Sequence, residues 1–316
     1  MHSYAAFGTQ LNCTFELPEL VQIPTALESA WTVEVRHVVP PVIDGDPLGM
    51  DTVYGSVQVR SFTAPGVHRL VFDDTGAFDV LLRDRVIVWY PGARADSAAM
   101  RADLLGRVMS LAAHADGMLA LHASAVSIDG HAIAFLGPKQ AGKSTIAMAL
   151  VRGGARLMSD DSLVLRFADD VVLAAPGVQR MRLWDDSASA LGAKTVGTRG
   201  AKPTLDRFPA ERLQASDVPL AACYVVGAAA DQSVDLIERV RLPSARAALA
   251  CVSFSKLGIL AGGSEAVVLL DRAARLARAT PVYEATVRRD LGRLDALADR
   301  VFAWHRSNDA RVTGQP

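Results

Sequence analysis

Cysteine is scarce in this chain. Cys13, Cys223 and Cys251 are its three examples, odd in number and far apart, which excludes a disulfide framework and a thiolate metal cluster and points to reduced core residues. An excess of charge of either sign is missing too. Lys and Arg number 33 against 34 Asp and Glu, a formal net charge of −1, so no global field draws the chain to nucleic acid or to an anionic membrane. Every strongly apolar stretch is interrupted by charge, Gly or Pro well short of a membrane span. No basic segment followed by an apolar one stands at the start, so no signal peptide is expected. Internal repeats and low-complexity tracts are also lacking. These absences together lead to the expectation of a soluble, cytoplasmic protein without nucleic-acid or membrane partners.

What is present is a large apolar fraction, 50% of 316 residues, enough for one large or two ordinary domains. Residues 1–95 read as β-rich. Segments 31–39, 54–60, 78–83 and 85–90 carry strand patterns, separated by turn signals at Pro40-Pro41, Asp44-Gly45-Asp46-Pro47, Ala64-Pro65-Gly66 and Asp73-Asp74-Thr75-Gly76. No catalytic motif stands here, and His37 and His68 read as surface or core residues of strands. The segment fits an accessory domain for substrate recognition or assembly. At Asp96 the period changes. Asp96-Ser97 can cap a helix whose apolar face is Met100, Leu104, Leu105, Val108, Leu111 and Ala112. A single strand over 118–128 should follow, with Asp129-Gly130 as a hairpin turn into the next strand.

That next strand leads to the chain's strongest motif. Residues 131–136 form a short apolar run, and Gly137-Pro138-Lys139-Gln140-Ala141-Gly142-Lys143-Ser144 fits G-x-x-x-x-G-K-[ST], with Thr145 opening a helix-forming run that stops at Gly153-Gly154. The two flanking glycines let the backbone turn its N–H groups inward onto phosphate oxygens. Lys143 supplies a point charge for the β- and γ-phosphates, the Ser144 hydroxyl a ligand for Mg²⁺, and the helix start a positive dipole. The string sits between a strand and a helix, as a nucleotide site requires.

Asp160 and Asp161 come next, just before an apolar run. A tight turn could account for two adjacent carboxylates. Chemistry could as well, with one holding Mg²⁺ while the other handles a proton. The spacing favours chemistry, because a strand returning beside that of the phosphate loop would bring both to the sheet edge where ligands sit. Residues 171–177 and 219–226 read as strands. Arg180 and Arg182 add cations, and residues 192–207, with Lys194, Arg199, Lys202 and Arg207, form a Gly-rich basic stretch equally readable as a loop closing over phosphates or as a solvated connector. A strand over 234–240, an Ala-rich helix opening at Pro243-Ser244, a helix over 265–278, a strand over 281–287 and an amphipathic helix over 290–305 complete the pattern.

Leu121-His122-Ala123-Ser124-Ala125, the phosphate loop, Arg152-Gly153-Gly154 and Leu157-Met158-Ser159-Asp160-Asp161, with the spacings between them, resemble the catalytic domain of the HPr kinase/phosphorylase family. The family's fold is related to the nucleotide-binding domain of ATP-dependent phosphoenolpyruvate carboxykinase. The resemblance implies an α/β fold of that type over 96–310, after the smaller β-rich domain of 1–95 and before a disordered tail at 311–316. It implies ATP and Mg²⁺ as cofactors, with Gly137 to Thr145 around the phosphates. Catalytic roles go to Asp160 as the base toward a serine hydroxyl, to Lys143, and to His122 beside the carboxylates; Ser144 and Asp161 become metal ligands. Tyr4 to Gly8, Leu17-Pro18-Glu19-Leu20, Arg182-Leu183-Trp184, Lys202, Pro219-Leu220 and Pro281-Val282-Tyr283 further resemble HPr-kinase-related proteins of biosynthetic clusters, some of which modify lasso-peptide precursors. Residues 178–186 lack the glycine-rich signature of the bifunctional enzymes, which weighs against phosphorolysis and against HPr as substrate.

The expected activity is transfer of the ATP γ-phosphate to a hydroxyl, serine foremost, of a peptide or small protein such as a ribosomally made precursor. The alternatives are a small-molecule kinase on the same scaffold and a nucleotide-binding regulatory module without transfer. A homo-oligomer is compatible with all three.

Overall fold

The computed structural model describes residues 1–24, 30–53, 55–181, 183–192, 195–199, 202–205, 208–230 and 234–306. It is a mixed α/β structure with two large sheets. Eight strands build the first: β1 (His2–Ala6), β2 (Thr9–Cys13), β3 (Trp31–Val35), β4 (Gly49–Val53), β5 (Val57–Ala64), β6 (Val67–Phe72), β7 (Gly76–Leu81) and β8 (Val86–Pro91). Their order is β1-β2-β3-β8-β7-β6-β5-β4. Alternation along the strands turns Trp31, Val33, Val59, Leu70, Phe72, Phe78, Val80 and Ile87 into one core. Each such side chain contributes about 1.5–3 kcal/mol on leaving water.

The helical stretch beyond Asp96 packs into this same core. It comprises α1 (Ser97–Asp103), a π-helical turn at Leu104–Val108, and α2 (Met109–Ala115). Asp96 caps it, its side chain accepting from the Ala99 amide at 2.8 Å. Met100, Leu104, Leu105, Val108, Leu111 and Ala112 are all buried against the sheet. The regular helix expected from the apolar period is thus interrupted by a wide turn, a feature common at functional sites. The turn places Gly106 and Arg107 at the cleft described below.

The second sheet has nine strands: β9 (Leu119–Leu121), β10 (Ala123–Ile128), β11 (His131–Leu136), β12 (Arg156–Asp160), β13 (Leu163–Ala168), β14 (Val171–Ala175), β17 (Val218–Ala228), β18 (Ile237–Arg241) and β19 (Val282–Val287). Between β14 and β17 lies a small ribbon of β15 (Thr195–Arg199) and β16 (Lys202–Leu205), within the basic stretch. The sheet runs β12-β10-β11-β17 and divides at the long strand β17, one branch leading to β14, β13 and β9, the other to β19 and β18. α3 (Lys143–Arg152) and α7 (Leu294–Arg306) cover one face through Ile146, Leu150, Val301 and Phe302. α5 (Ser244–Ser253) and α6 (Gly263–Ala279) cover the other through Ala247, Cys251, Leu269 and Leu276. The hairpin at Asp129-Gly130 forms as expected, with φ of +47° and +78° suiting the right-handed strand twist.

Two expectations need correction. Residues 118–128 are not one strand. The chain breaks at His122, whose amide donates to the Phe254 carbonyl at 2.6 Å, and β9 and β10 enter different branches of the sheet. Nor does β12 lie beside β11: β10 stands between them, because the tight hairpin places β10 on that flank of β11 and β17 fills the other.

Among the described residues no helix is long and apolar enough to cross a membrane. The three cysteines are buried and unpaired, and burial raises the thiol pKa values, that of Cys251 to about 12. The expected tail at 311–316 lies outside the described residues.

Candidate functional site

The phosphate-loop motif follows the buried strand β11. Gly137 sits at φ +145°, and a Cβ there would stand 2.7 Å from the Val226 carbonyl oxygen and 3.2 Å from the Ala141 Cβ. Only glycine lets the end of β11 pass β17 this closely. Gln140 at φ +68° and Gly142 at φ +97° turn the backbone again before α3 begins at Lys143. The first turn of α3 carries no acidic residue and no side-chain cap. This turn lies at the positive end of the helix dipole, the kind of place that receives an anion. The Lys143 ammonium is buried and donates to the carbonyls of Gly137 at 2.8 Å and Pro138 at 3.1 Å.

Asp160 ends β12. The register of the antiparallel pair sets Ser124 of β10 directly opposite it. The Asp160 Oδ1 accepts from the Ser124 hydroxyl at 2.5 Å and from the Ser144 hydroxyl at 2.8 Å. A buried carboxylate is thus fixed beside the phosphate loop. At Asp161 the backbone adopts φ +110°, which side-chain-bearing residues rarely occupy. The Asp161 amide donates to the Ala123 carbonyl at 2.9 Å. The turn sends the second carboxylate to other partners: Lys256 Nζ at 2.6 Å and His122 Nδ1 at 3.2 Å. Both the turn and the separation of the two acids are therefore present.

The structure brings His122, Lys143, Ser144, Asp160 and Asp161 to one cleft of about 1310 Å³ between the two sheets, along with Lys139, Gln140, Ala141, Gly142 and Thr145. Arg182 lies outside the described residues, as do the side chains of Arg199 and Lys202. Several lining residues carry no local motif. Lys256 reaches Asp161 because its loop pairs with β9, its amide donating to the Ala120 carbonyl at 3.0 Å. Arg107, from the π turn, donates to the Lys256 carbonyl and pairs with Asp51 of β4, so it ties the first sheet to the loop that carries Lys256. Ser124 was visible in the sequence as part of a motif, but its partner lies 36 residues away.

Among the described residues no three His, Cys, Asp or Glu side chains gather as a metal cage. The cleft instead offers hydroxyl and carboxylate oxygens, a hard donor set that suits Mg²⁺ completed by water and phosphate oxygens.

No protein-family model matches the chain, and no curated protein matches it. Among solved structures, an Hpr(Ser) kinase/phosphatase from Coxiella burnetii is similar with 14% identity and a TM-score of 0.34, the alignment covering 60% of this chain and 98% of that one.

Proposed function

We propose that this protein is an ATP- and Mg²⁺-dependent kinase that phosphorylates a hydroxyl, serine foremost, on a peptide or small protein. The observation that carries the reading is the 2.8 Å contact between Ser144 of a glycine-turned phosphate loop and the buried carboxylate of Asp160. One side chain belongs to phosphate binding and the other can take a proton.

In this reading Lys143 exchanges its loop carbonyls for phosphate oxygens, and the amides leading into α3 hold the same group. Asp160 already accepts from two hydroxyls, Ser124 and Ser144. It would accept the proton of the acceptor alcohol as that oxygen bonds to the γ-phosphorus and the bridge to the β-phosphate breaks, leaving ADP. Ser144 and Asp161 would hold Mg²⁺, which when bound neutralises charge on the phosphates. His122 and Lys256, both on Asp161, set the direction of that carboxylate. The wall formed by β4 and the π turn would face the acceptor, giving the first sheet its part in recognition.

The test is transfer of label from γ-labelled ATP to serine-containing peptides in the presence of Mg²⁺. Lys143→Ala and Asp160→Ala should each abolish transfer, with ATP binding retained in Asp160→Ala. Full turnover in Asp160→Ala would remove the base assignment. Label on a metabolite would redirect the reading to a small-molecule kinase, and ATP binding without transfer to a regulatory module.

A further inference from the structure

Beyond the acid pair the cleft continues toward the first sheet. Its volume of about 1310 Å³ exceeds the roughly 300–1,000 Å³ of an ordinary small-molecule pocket. The continuation is a recess between the inner face of that sheet and the π turn. Strand register builds one wall. Asp51 of β4 lies opposite Val59 of β5, and Val59 opposite Phe72 of β6, so the three side chains form a row on one face. Val53, two residues on from Asp51, extends that face along the last strand of the sheet. Asp103, Gly106 and Arg107 form the other wall. Ile259, of the 3-10 turn at Gly258–Leu260, lines the same cleft and is 62% exposed, which puts it at the mouth. The polar groups here are matched to one another. Arg107 pairs with Asp51 and donates to the Lys256 carbonyl, and Asp103 accepts from the Thr75 hydroxyl at 2.7 Å. What the recess offers a ligand is therefore apolar: Val53, Phe72 at the floor and Ile259. Gly106 adds space, because a Cβ built there meets nothing within 4 Å. The π turn presents bare backbone where a helix ordinarily carries a side chain.

We propose that this recess is a specificity pocket for the acceptor, taking one apolar side chain of an extended peptide whose hydroxyl lies at Asp160; the proposal rests on the kinase reading above. Asp161 meets Lys256 Nζ at 2.6 Å, and the Lys256 carbonyl meets Arg107. These contacts run in a line from the acid pair to the recess. The anchored residue therefore stands a few positions along the peptide from the hydroxyl, each extended residue spanning about 3.3–3.6 Å. A small acceptor seated at Asp160 would end before the recess, whereas a chain reaches both. Burial of a Leu-sized side chain there is worth roughly tenfold in recognition.

The probe is a set of single-serine peptides on an alanine background, with Leu, Lys or Asp placed in turn at each neighbouring position. Each is assayed with γ-labelled ATP and Mg²⁺ on the full-length protein. At one position a few residues from the serine, Leu should lower the peptide KM roughly tenfold relative to Ala. Gly106→Leu fills the recess and spares the core, since its side chain enters open space and leucine is the better helix former. In that variant the preference for Leu should vanish while KM for ATP stays at the wild-type value. Equal KM across the peptide set in the wild type would overturn the proposal and leave the kinase reading standing. A preference for Leu that survives in Gly106→Leu would do the same. So would a preference for Lys or Asp at that position, which would show that charge is read there. Absence of label on every peptide, with ATP still bound, would remove the peptide-kinase reading and the proposal together.

Discussion

Gly137→Ala tests the packing of the phosphate loop most sharply. The glycine holds φ +145°, where a side chain is strained whatever space surrounds it, at about 1–3 kcal/mol. The new Cβ would also stand 2.7 Å from the carbonyl oxygen of Val226. That oxygen cannot swing aside as a side chain can. Val226 belongs to β17, in register with Ala285 of β19, so relief requires moving a strand. Overpacking of this kind costs a further ~1–3 kcal/mol, giving a total of about 2–6 kcal/mol against a usual stability of roughly 5–15 kcal/mol. Gly142→Ala is the control, because Gly142 has φ +97° but nothing within 4 Å of an added Cβ. It should show the strain alone, about 1–3 kcal/mol. Urea unfolding followed by tryptophan fluorescence measures both, and both variants should bind ATP·Mg²⁺ more weakly. If Gly137→Ala proved as stable as Gly142→Ala, the close approach of β11 to β17 would not be what requires glycine there.

Two further outcomes concern stability away from the loop. Arg69 and Asp79, directly opposed on β6 and β7, form a buried bidentate pair at 2.5 and 2.7 Å; Arg69→Met should cost about 3–5 kcal/mol by stranding a buried charge. Arg69→Met/Asp79→Leu should recover most of that loss in thermal melts, and a double variant no better than the single would contradict the account. His305 has its pKa lowered from 6.5 to about 4, by burial first and then by Arg239 and His131, while its ring meets the Tyr224 hydroxyl at 2.8 Å. Because the folded value lies below the unfolded one, the contribution is complete above about pH 6.5 and is lost as pH falls toward 4, by about 3 kcal/mol. His305→Gln should flatten the stability profile relative to wild type over that window; identical slopes for the two proteins would show that His305 is not responsible.

Local chemistry made much of this protein legible from its residues. The strand, glycine-turned loop and helix around the G-x-x-x-x-G-K-S motif could be read because they lie within one contiguous stretch, and the glycines answer conformational needs of their own positions. The Asp96 cap and the Asp129-Gly130 hairpin are local in the same sense. The hairpin between β1 and β2 carries no comparable local signal: Phe7, not a turn residue, occupies φ +58° beside Gly8 at +70°, its ring buried in the core. There, burial outweighed the turn preference.

The pairings that assemble the site were decided by the tertiary structure alone. The pattern over 118–128 is apolar on both sides of His122, so nothing local marks the break that puts the histidine between two branches of the sheet. Ser124 meets Asp160 through strand register, Lys256 meets Asp161 through a loop docked on β9, and Arg107 joins Asp51 to that loop across the two sheets. Such contacts depend on which strands become neighbours. Apolar periodicity shows which face of a strand is buried, whereas the order of strands in a sheet is settled by how all the buried faces pack together.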